Sequence, residues 1–439
     1  MNIHPILRVA TLALITATGF ADESRTWTSR ANGRQFAGAM VSATETTVSI
    51  RRAADNVVFD VKKSDLVQAD LDWIAQHTPK PVATGAVADL SELITGIPAT
   101  VGTPAVAVLL IDEGETRGMG VAGLRKAGSP EKVELGDKWH LGSCTKSMTA
   151  TSAATFVEEG AITWETTLGE VLGKKLKMLK DYESVTLGLL LANRGGVPGK
   201  VPDSVYDGVD FSAEVKDLSD RDILKQRVQY AEAVLNLKPA SPPGTRYEYS
   251  NSGFIVAGVM LEVLTGKPWE KLIEERIFKP LGMVNSGFGN AARGDKRTAT
   301  QPWPHKDAAT PVSPGPGDDN SWVLGPAGTV HGSLKDIARY IAMHATREIG
   351  PVLKKKETFE FLHTAVPDNN DYARGWIVAR APWSQGPAIS HDGANTMNHC
   401  SFWIAPERKA AVAAFTNCDE KGSEACRAAI QAVVEKYLK

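Results

Sequence analysis

Apolar and polar positions change rhythm several times along the chain, and each change marks an element. Ala105 to Ile111 is an uninterrupted apolar run that stops at Asp112-Glu113-Gly114, the pattern of a buried strand followed by a turn. Ser147 to Val157 carries no charge, and Ala150, Ala153, Ala154 and Val157 keep an i, i+3, i+4, i+7 spacing before Glu158-Glu159-Gly160 ends it. A helix without charge on any side is a buried helix. Further helical patterns run from Ser252 to Thr265, from Leu334 to Ala345 and from Ala428 to Tyr437. Two late strands, Cys400 to Ile404 and Ala410 to Thr416, flank the turn Ala405-Pro406-Glu407-Arg408. Strand signals at both ends of this region, with helices between, predict an α/β (α+β) architecture: helices surrounding an antiparallel sheet built from both chain ends.

The first 75 residues follow a different rhythm. Arg8 precedes Val9 to Phe20, a charge-free run, and Gly19-Phe20-Ala21 offers small residues where a signal peptidase cuts. The run is shorter than the ~20 residues needed to span hydrocarbon. Residues 1–21 therefore read as a removable secretory signal, which predicts a secreted or periplasmic protein with no transmembrane anchor in the mature chain. Residues 22–75 predict a small β domain: a strand at Trp27, a hairpin signal at Asn32-Gly33, and β-prone runs at Phe36 to Val41, Thr46 to Ile50 and Val57 to Val61. Ser64 is the expected cap of a final helical turn bearing Leu66, Leu71 and Trp73. Residues 76–85 read as a polar linker, and 86–439 as one large domain without repeats.

Composition changes this picture little. Of 439 residues 43% are apolar and 23% charged, as in ordinary folded proteins. Lys plus Arg number 49 against 51 Asp plus Glu, so no basic field exists to draw a nucleic-acid backbone. Four cysteines are too few for a disulfide scaffold. Cys418 and Cys426, close together beside turn residues, are the candidate disulfide pair; the alternative is four separate thiols, with Cys144 and Cys400 buried as small apolar groups.

Candidate chemistry begins at Leu141-Gly142-Ser143-Cys144-Thr145-Lys146. A serine alcohol needs a base to become a nucleophile, and residues three apart on a helix share a face. Lys146 therefore lies beside Ser143, and burial lowers a lysine pKa into the range of a usable base. Ser129-Pro130-Glu131-Lys132 has the same spacing without a helical sequel and reads as surface loop. In Pro243 to Phe254 polar and aromatic residues alternate, which predicts an extended segment placing Tyr249 and Asn251 on one side. His391-Asp392-Gly393-Ala394 precedes the late strands, and Gly393 is expected to let substrate approach the backbone closely. No His, Cys, Asp or Glu cluster has zinc spacing, and no Gly-rich phosphate loop follows a strand, so neither metal nor cofactor is expected.

Ser143-x-x-Lys146, Tyr249-x-Asn251 and His391-x-Gly393, in this order, resemble the penicillin-recognising serine hydrolases, in the branch of class C β-lactamases, D-alanyl-D-alanine carboxypeptidases and esterases. Leu190 to Pro198, Ile277 to Met283, Gly328-Thr329-Val330 and Asp336 to Arg339 match as well. The resemblance implies a β-lactamase/transpeptidase-like fold. It implies Ser143 as acylated nucleophile, Lys146 and Tyr249 as general base and acid, and Asn251 as a substrate-positioning group. The backbone N–H groups of Ser143 and Ala394 become the oxyanion hole. Where lactamases usually carry lysine this chain carries His391, which implies weaker carboxylate recognition and a tilt toward esters, amides or short peptides. Whether Asp392 touches His391 and restores its charge stays open. Glu232 to Asn236 and Ser219-Asp220-Arg221 imitate class A motifs in the wrong order and read as coincidence. The stretch from Arg25 to Ile74 resembles the SH3-like homology domain of an actin-cytoskeleton adaptor, which implies either a protein or cell-envelope contact or a purely structural appendage. The rival to an enzyme is a non-catalytic sensor of cell-wall peptides or β-lactams on the same fold.

Overall fold

The structure is a computed structural model in which residues 24–43, 46–55, 57–77, 87–210, 218–315, 317–367 and 371–439 are described. The segment read as a secretory signal lies outside them. The chain divides into two compact units, Met1–Lys80 and Pro81–Lys439.

In the first unit β1 (Arg25–Thr28), β2 (Gln35–Ala43), β3 (Thr47–Arg52) and β4 (Val58–Lys62) form an antiparallel meander in sequence order. Between β1 and β2 Gly33 takes φ +68°, the conformation that its hairpin signal asks for. Alternation puts Trp27, Met40, Val48 and Ile50 into a small core with Leu66 and Ile74. Trp27 Nε1 donates to the Gly38 carbonyl at 2.8 Å, and its ring meets Trp73 edge to face at 5.6 Å. Asp70 is buried, pairing with Arg25 Nη2 at 2.6 Å and accepting the Thr28 N–H at 2.7 Å. One expectation fails here. The helix runs Gln68–His77, into the stretch read as linker, and Ser64 sits in a separate 3₁₀ turn, Lys63–Asp65, with its hydroxyl turned to Asp65. The carboxylate one residue on out-competes a capping role for that serine.

The second unit adds β5 (Ala88–Asp89), β6 (Ala105–Asp112), β7 (Glu115–Gly123), β8 (Lys138–His140), β9 (Gly287–Phe288), β10 (His305–Asp307), β11 (Thr310–Pro311) and β12 (Val330–Ser333). The last four strands are β13 (Ile377–Arg380), β14 (Pro387–Ala394), β15 (His399–Ala405) and β16 (Ala410–Thr416). The main sheet has the order β13-β14-β15-β16-β6-β7-β5, antiparallel throughout except for the short β5–β7 edge pair. Sequence-distant β6 and β16 are neighbours, as expected of a sheet closed from both chain ends. Both are buried on two faces. Ala105, Ala107, Leu109 and Ile111 join the large core on one side, while Val106, Val108 and Leu110 face a second core completed by the C-terminal helix Gly422–Tyr437.

The helix that contains the charge-free run spans Thr145–Glu158, and its residues from Thr145 to Phe156 are buried on all sides. Several of its polar side chains find partners: Ser147 donates to the Cys144 carbonyl, Thr155 to that of Ser152 and Thr149 to that of Pro326. A second buried helix, Asn251–Thr265, is capped by Ser250, whose Oγ accepts the Gly253 N–H at 3.0 Å, and ends at Gly266 with φ +70°. Ser219 likewise caps the helix Asp220–Leu235, which explains the imitation motif there as local helix chemistry. On that helix Arg227 is fully buried. Its Nη1 lies 2.5 Å from Glu262 and 2.9 Å from Glu270. Trp269 then ties this cluster to the first buried helix, its N–H on Glu262 and its Nε1 on Thr149.

The four cysteines are buried free thiols, so the Cys418–Cys426 disulfide is not formed. The close pair is instead Cys144 and Cys400, with sulfurs 3.4 Å apart in the core.

Candidate active site

Ser143 lies in a 3₁₀ turn, Gly142–Cys144, that runs directly into the buried helix, so Lys146 follows one turn later. Lys146 is wholly buried, and its Nζ has three neighbours: Ser143 Oγ at 3.0 Å, Asn251 Oδ1 at 2.7 Å and the Ala327 carbonyl at 2.8 Å. Among the described residues no carboxylate pairs with it. Burial therefore lowers its pKa to about 7. As a neutral amine it has two N–H bonds and one lone pair. Asn251 Oδ1 and the Ala327 carbonyl can only accept, so they take both hydrogens and leave the lone pair facing the Ser143 hydroxyl.

Tyr249 completes this group. Lys146 Nζ stands 4.9 Å from its ring centroid. Burial raises the phenol pKa above its usual value, and a hydrogen bond to Ser143 pulls the other way. The side chain keeps 37% of its surface exposed, so the ring still borders solvent. The sequence reading of one extended segment is corrected here: Ser250 is extended, but Asn251 is already the first residue of a helix. The two side chains converge on Lys146 because the chain turns between them. Asn193, in the left-handed region at φ +56°, fixes that turn. Its carbonyl accepts the Glu248 N–H at 2.8 Å and its Oδ1 the Ser250 N–H at 3.0 Å.

His391, on β14, is buried. Its Nδ1 donates to the Asp392 carbonyl at 2.6 Å, which leaves Nε2 as an acceptor 3.3 Å from the Tyr372 hydroxyl. Burial, then the nearby Lys146, push its pKa down to about 3. The partial charge expected of an ordinary histidine is therefore lost near neutral pH. The Asp392 side chain is exposed and meets the ring only through its backbone.

Gly393 has a task beside the one its sequence suggested. A Cβ there would stand 2.0 Å from the Leu141 carbonyl oxygen, so what approaches the strand is the turn before Ser143. Gly142 answers from the other side, at φ +45° and with room for a Cβ only 2.4 Å from the Ala394 nitrogen. These two glycines bring the Ser143 and Ala394 backbones together.

Three contributors escaped the sequence reading. The Ala327 carbonyl has no side-chain signal, and Asn193 stood out only as part of the family-like stretch Leu190 to Pro198. Tyr372, whose ring lies 5.5 Å from Tyr247, 6.5 Å from Tyr249 and 5.9 Å from His391, sits outside any regular element. Among the described residues no group of three or more His, Cys, Asp or Glu side chains is placed to hold a metal, and no helix is long and apolar enough to cross a membrane.

The sequence pattern of the family described as Beta-lactamase matches residues 90–435. The chain belongs to this family of serine hydrolases. Penicillin-binding protein 4 of Amycolatopsis lactamdurans is 24% identical over 336 residues, covering 72% of this chain and 81% of that protein. The unguisins hydrolase ungD' of Aspergillus campestris is 27% identical over 247 residues, 54% of this chain but only 43% of the hydrolase. Among solved structures, the octameric penicillin-binding protein homologue from Pyrococcus abyssi aligns with a TM-score of 0.62 at 22% identity, covering 79% of this chain and 76% of that one. A D-stereospecific amidohydrolase from Streptomyces sp. aligns with a TM-score of 0.57 at 20% identity, covering 78% and 96%. The two structures share the fold with this β-lactamase-family chain.

Proposed function

We propose that this β-lactamase-family protein is an exported serine hydrolase that works through an acyl-enzyme on Ser143, cleaving esters, amides or short peptides. The observation that carries the reading is the Lys146 amine, with both hydrogens engaged and its lone pair on the Ser143 hydroxyl. Ser143 Oγ attacks the substrate carbonyl carbon as its proton passes to Lys146 Nζ. The oxygen of the tetrahedral intermediate is held by the backbone N–H groups of Ser143 and Ala394, each such donor being worth ~3–4 kcal/mol. Collapse breaks the bond to the leaving group, which takes its proton from Lys146 through the Tyr249 phenol. Water then cleaves the acyl ester by the same route in reverse, and the Ser143 hydroxyl is restored. Asn251 Nδ2, without a protein partner among the described residues, is the donor for a substrate carbonyl.

The neutral His391 sets the substrate class. It offers no cation to a carboxylate, which favours uncharged acyl groups over β-lactams or peptide C-termini. Two relatives bear the name of a hydrolase of unguisins and of a D-stereospecific amidohydrolase, and amide chemistry agrees with this reading. Export rests on the charge-free run after Arg8. The small β unit is assigned an SH3-like contact role toward a protein or the cell envelope.

Incubation with a fluorophosphonate followed by intact mass and peptide mapping tests the proposal. The expected result is one adduct on Ser143, absent in Ser143→Ala, with loss of p-nitrophenyl acetate hydrolysis. Saturable ligand binding without any covalent gain would replace the enzyme by a sensor.

A further inference from the structure

Behind the proposed oxyanion hole lies a buried chain of polar contacts that the catalytic motifs leave unused. The Gly142 N–H donates to His140 Nδ1 at 3.0 Å. A backbone N–H can only donate, so Nδ1 carries a lone pair and the ring hydrogen sits on Nε2. That Nε2 is 3.1 Å from Asp319 Oδ2, a charge contact too bent to count as a hydrogen bond, and neither atom has a hydrogen-bond partner among the described residues. The second carboxylate oxygen, Oδ1, accepts from Asn395 Nδ2 at 2.6 Å. Asp319 therefore holds the residue that precedes Ser143 through His140, and the residue that follows Ala394 directly. The next residue extends the span: Asn320 Nδ2 donates to the Gly328 carbonyl at 2.8 Å, beside Ala327, whose carbonyl holds Lys146.

We propose that Asp319, acting through His140, is a positioning residue for the oxyanion hole, locking Gly142 and Asn395 so that the Ser143 and Ala394 N–H groups point at one oxygen. The inference rests on the hydrolase reading above. Its physical basis is tautomer control. A carboxylate facing Nε2–H keeps the Nδ1 lone pair on the Gly142 N–H, and an amide there, its oxygen held by the Asn320 N–H and Asn395 Nδ2, would place its NH2 against Nε2–H and turn the ring over. Gly142 takes its left-handed conformation without strain, and this bond adds a directional hold to the close packing of Gly142 against Ala394.

The test uses the full chain and p-nitrophenyl acetate, after fluorophosphonate labelling of the wild type. No labelling of wild-type Ser143 overturns the hydrolase reading and the clamp together. With labelling in hand, Asp319→Asn is expected to lower kcat about 100-fold while KM stays within about threefold. Adding His140→Asn, whose Oδ1 accepts the Gly142 N–H without an opposing donor, is expected to recover about tenfold of the loss. A purely structural role predicts no such recovery, because the double variant removes more native contacts. Wild-type kcat in Asp319→Asn, or no recovery in the double variant, overturns the clamp alone. If Asp319→Asn does not fold, the pair His140→Asn and His140→Leu decides: the asparagine is expected to stay within about threefold of wild type and the leucine to lose about 100-fold. Equal kcat in these two overturns the proposal.

Discussion

Lys146 Nζ lies 3.0 Å from Ser143 Oγ, and both hydrogens of the neutral amine are committed elsewhere, to Asn251 and to the Ala327 carbonyl. A permanently charged guanidinium cannot substitute for that lone pair. Lys146→Arg is expected to lose at least about 10³-fold in kcat/KM for p-nitrophenyl acetate, no less than Lys146→Ala. Circular dichroism and thermal unfolding establish that each variant is folded. An arginine variant with a tenth of wild-type activity would contradict the role of the lysine as base.

The same amine sets the acid limb of the pH profile. Burial brings its pKa down to about 7, so it is neutral and basic above that value and protonated below it. The expected kcat/KM is flat above about pH 8 and falls roughly tenfold per unit below about pH 7. A limb centred near pH 4 would point to a carboxylate instead.

His391 gives a prediction of opposite kind. Its pKa of about 3 keeps it neutral across the working range, so it gains no positive charge as the solution is acidified to pH 5. For the carboxylate-bearing lactam nitrocefin, KM is expected to stay level from pH 8 to pH 5, and kcat/KM to remain below that for an uncharged ester. An ordinary histidine would tighten binding below about pH 6.5. A tenfold fall in KM across this interval that disappears in His391→Gln, where Lys146 still becomes protonated, would show that His391 charges in the site.

Stability is most exposed at Arg227, fully buried between Glu262 and Glu270. Arg227→Met leaves two carboxylates without their cation and is expected to cost about 3–5 kcal/mol in urea unfolding. Neutralising the partners as well, in Arg227→Met with Glu262→Gln and Glu270→Gln, is expected to return part of that loss. A single variant as stable as wild type would mean that solvent already screens the cluster.

Much of the fold was legible because periodicity reports burial. β16 occupies the residues Ala410–Thr416 that its apolar run marks out, and the charge-free helix is buried all round. The site was legible where a side chain carries the chemistry, so Ser143, Lys146, Tyr249, Asn251 and His391 do meet in one place. What stayed hidden belongs to long-range contact. Any residue has a carbonyl like that of Ala327, and nothing near Asp319 announces that His140 lies beside it. Gly393 hides a second role for the same reason: its missing side chain makes room for Leu141, some 250 positions earlier in the chain. Of the two expectations for the cysteines, the four separate buried thiols hold and the Cys418–Cys426 bridge does not, and nothing in sequence spacing marks Cys144 and Cys400 as neighbours.

The pairing of β6 with β16 carries a consequence for how this molecule comes into being. One strand emerges early in synthesis and its neighbour only near the end, so the central sheet cannot close on a partial chain. β14, which brings His391 and Ala394 to Ser143, is tied to that sheet through β15 and β16. Loop closure over so long a separation is slow. The proposed nucleophile therefore exists long before its neighbours do, and a nascent or truncated chain ending before Thr416 holds Ser143 without the strands that bring His391 and Ala394 to it.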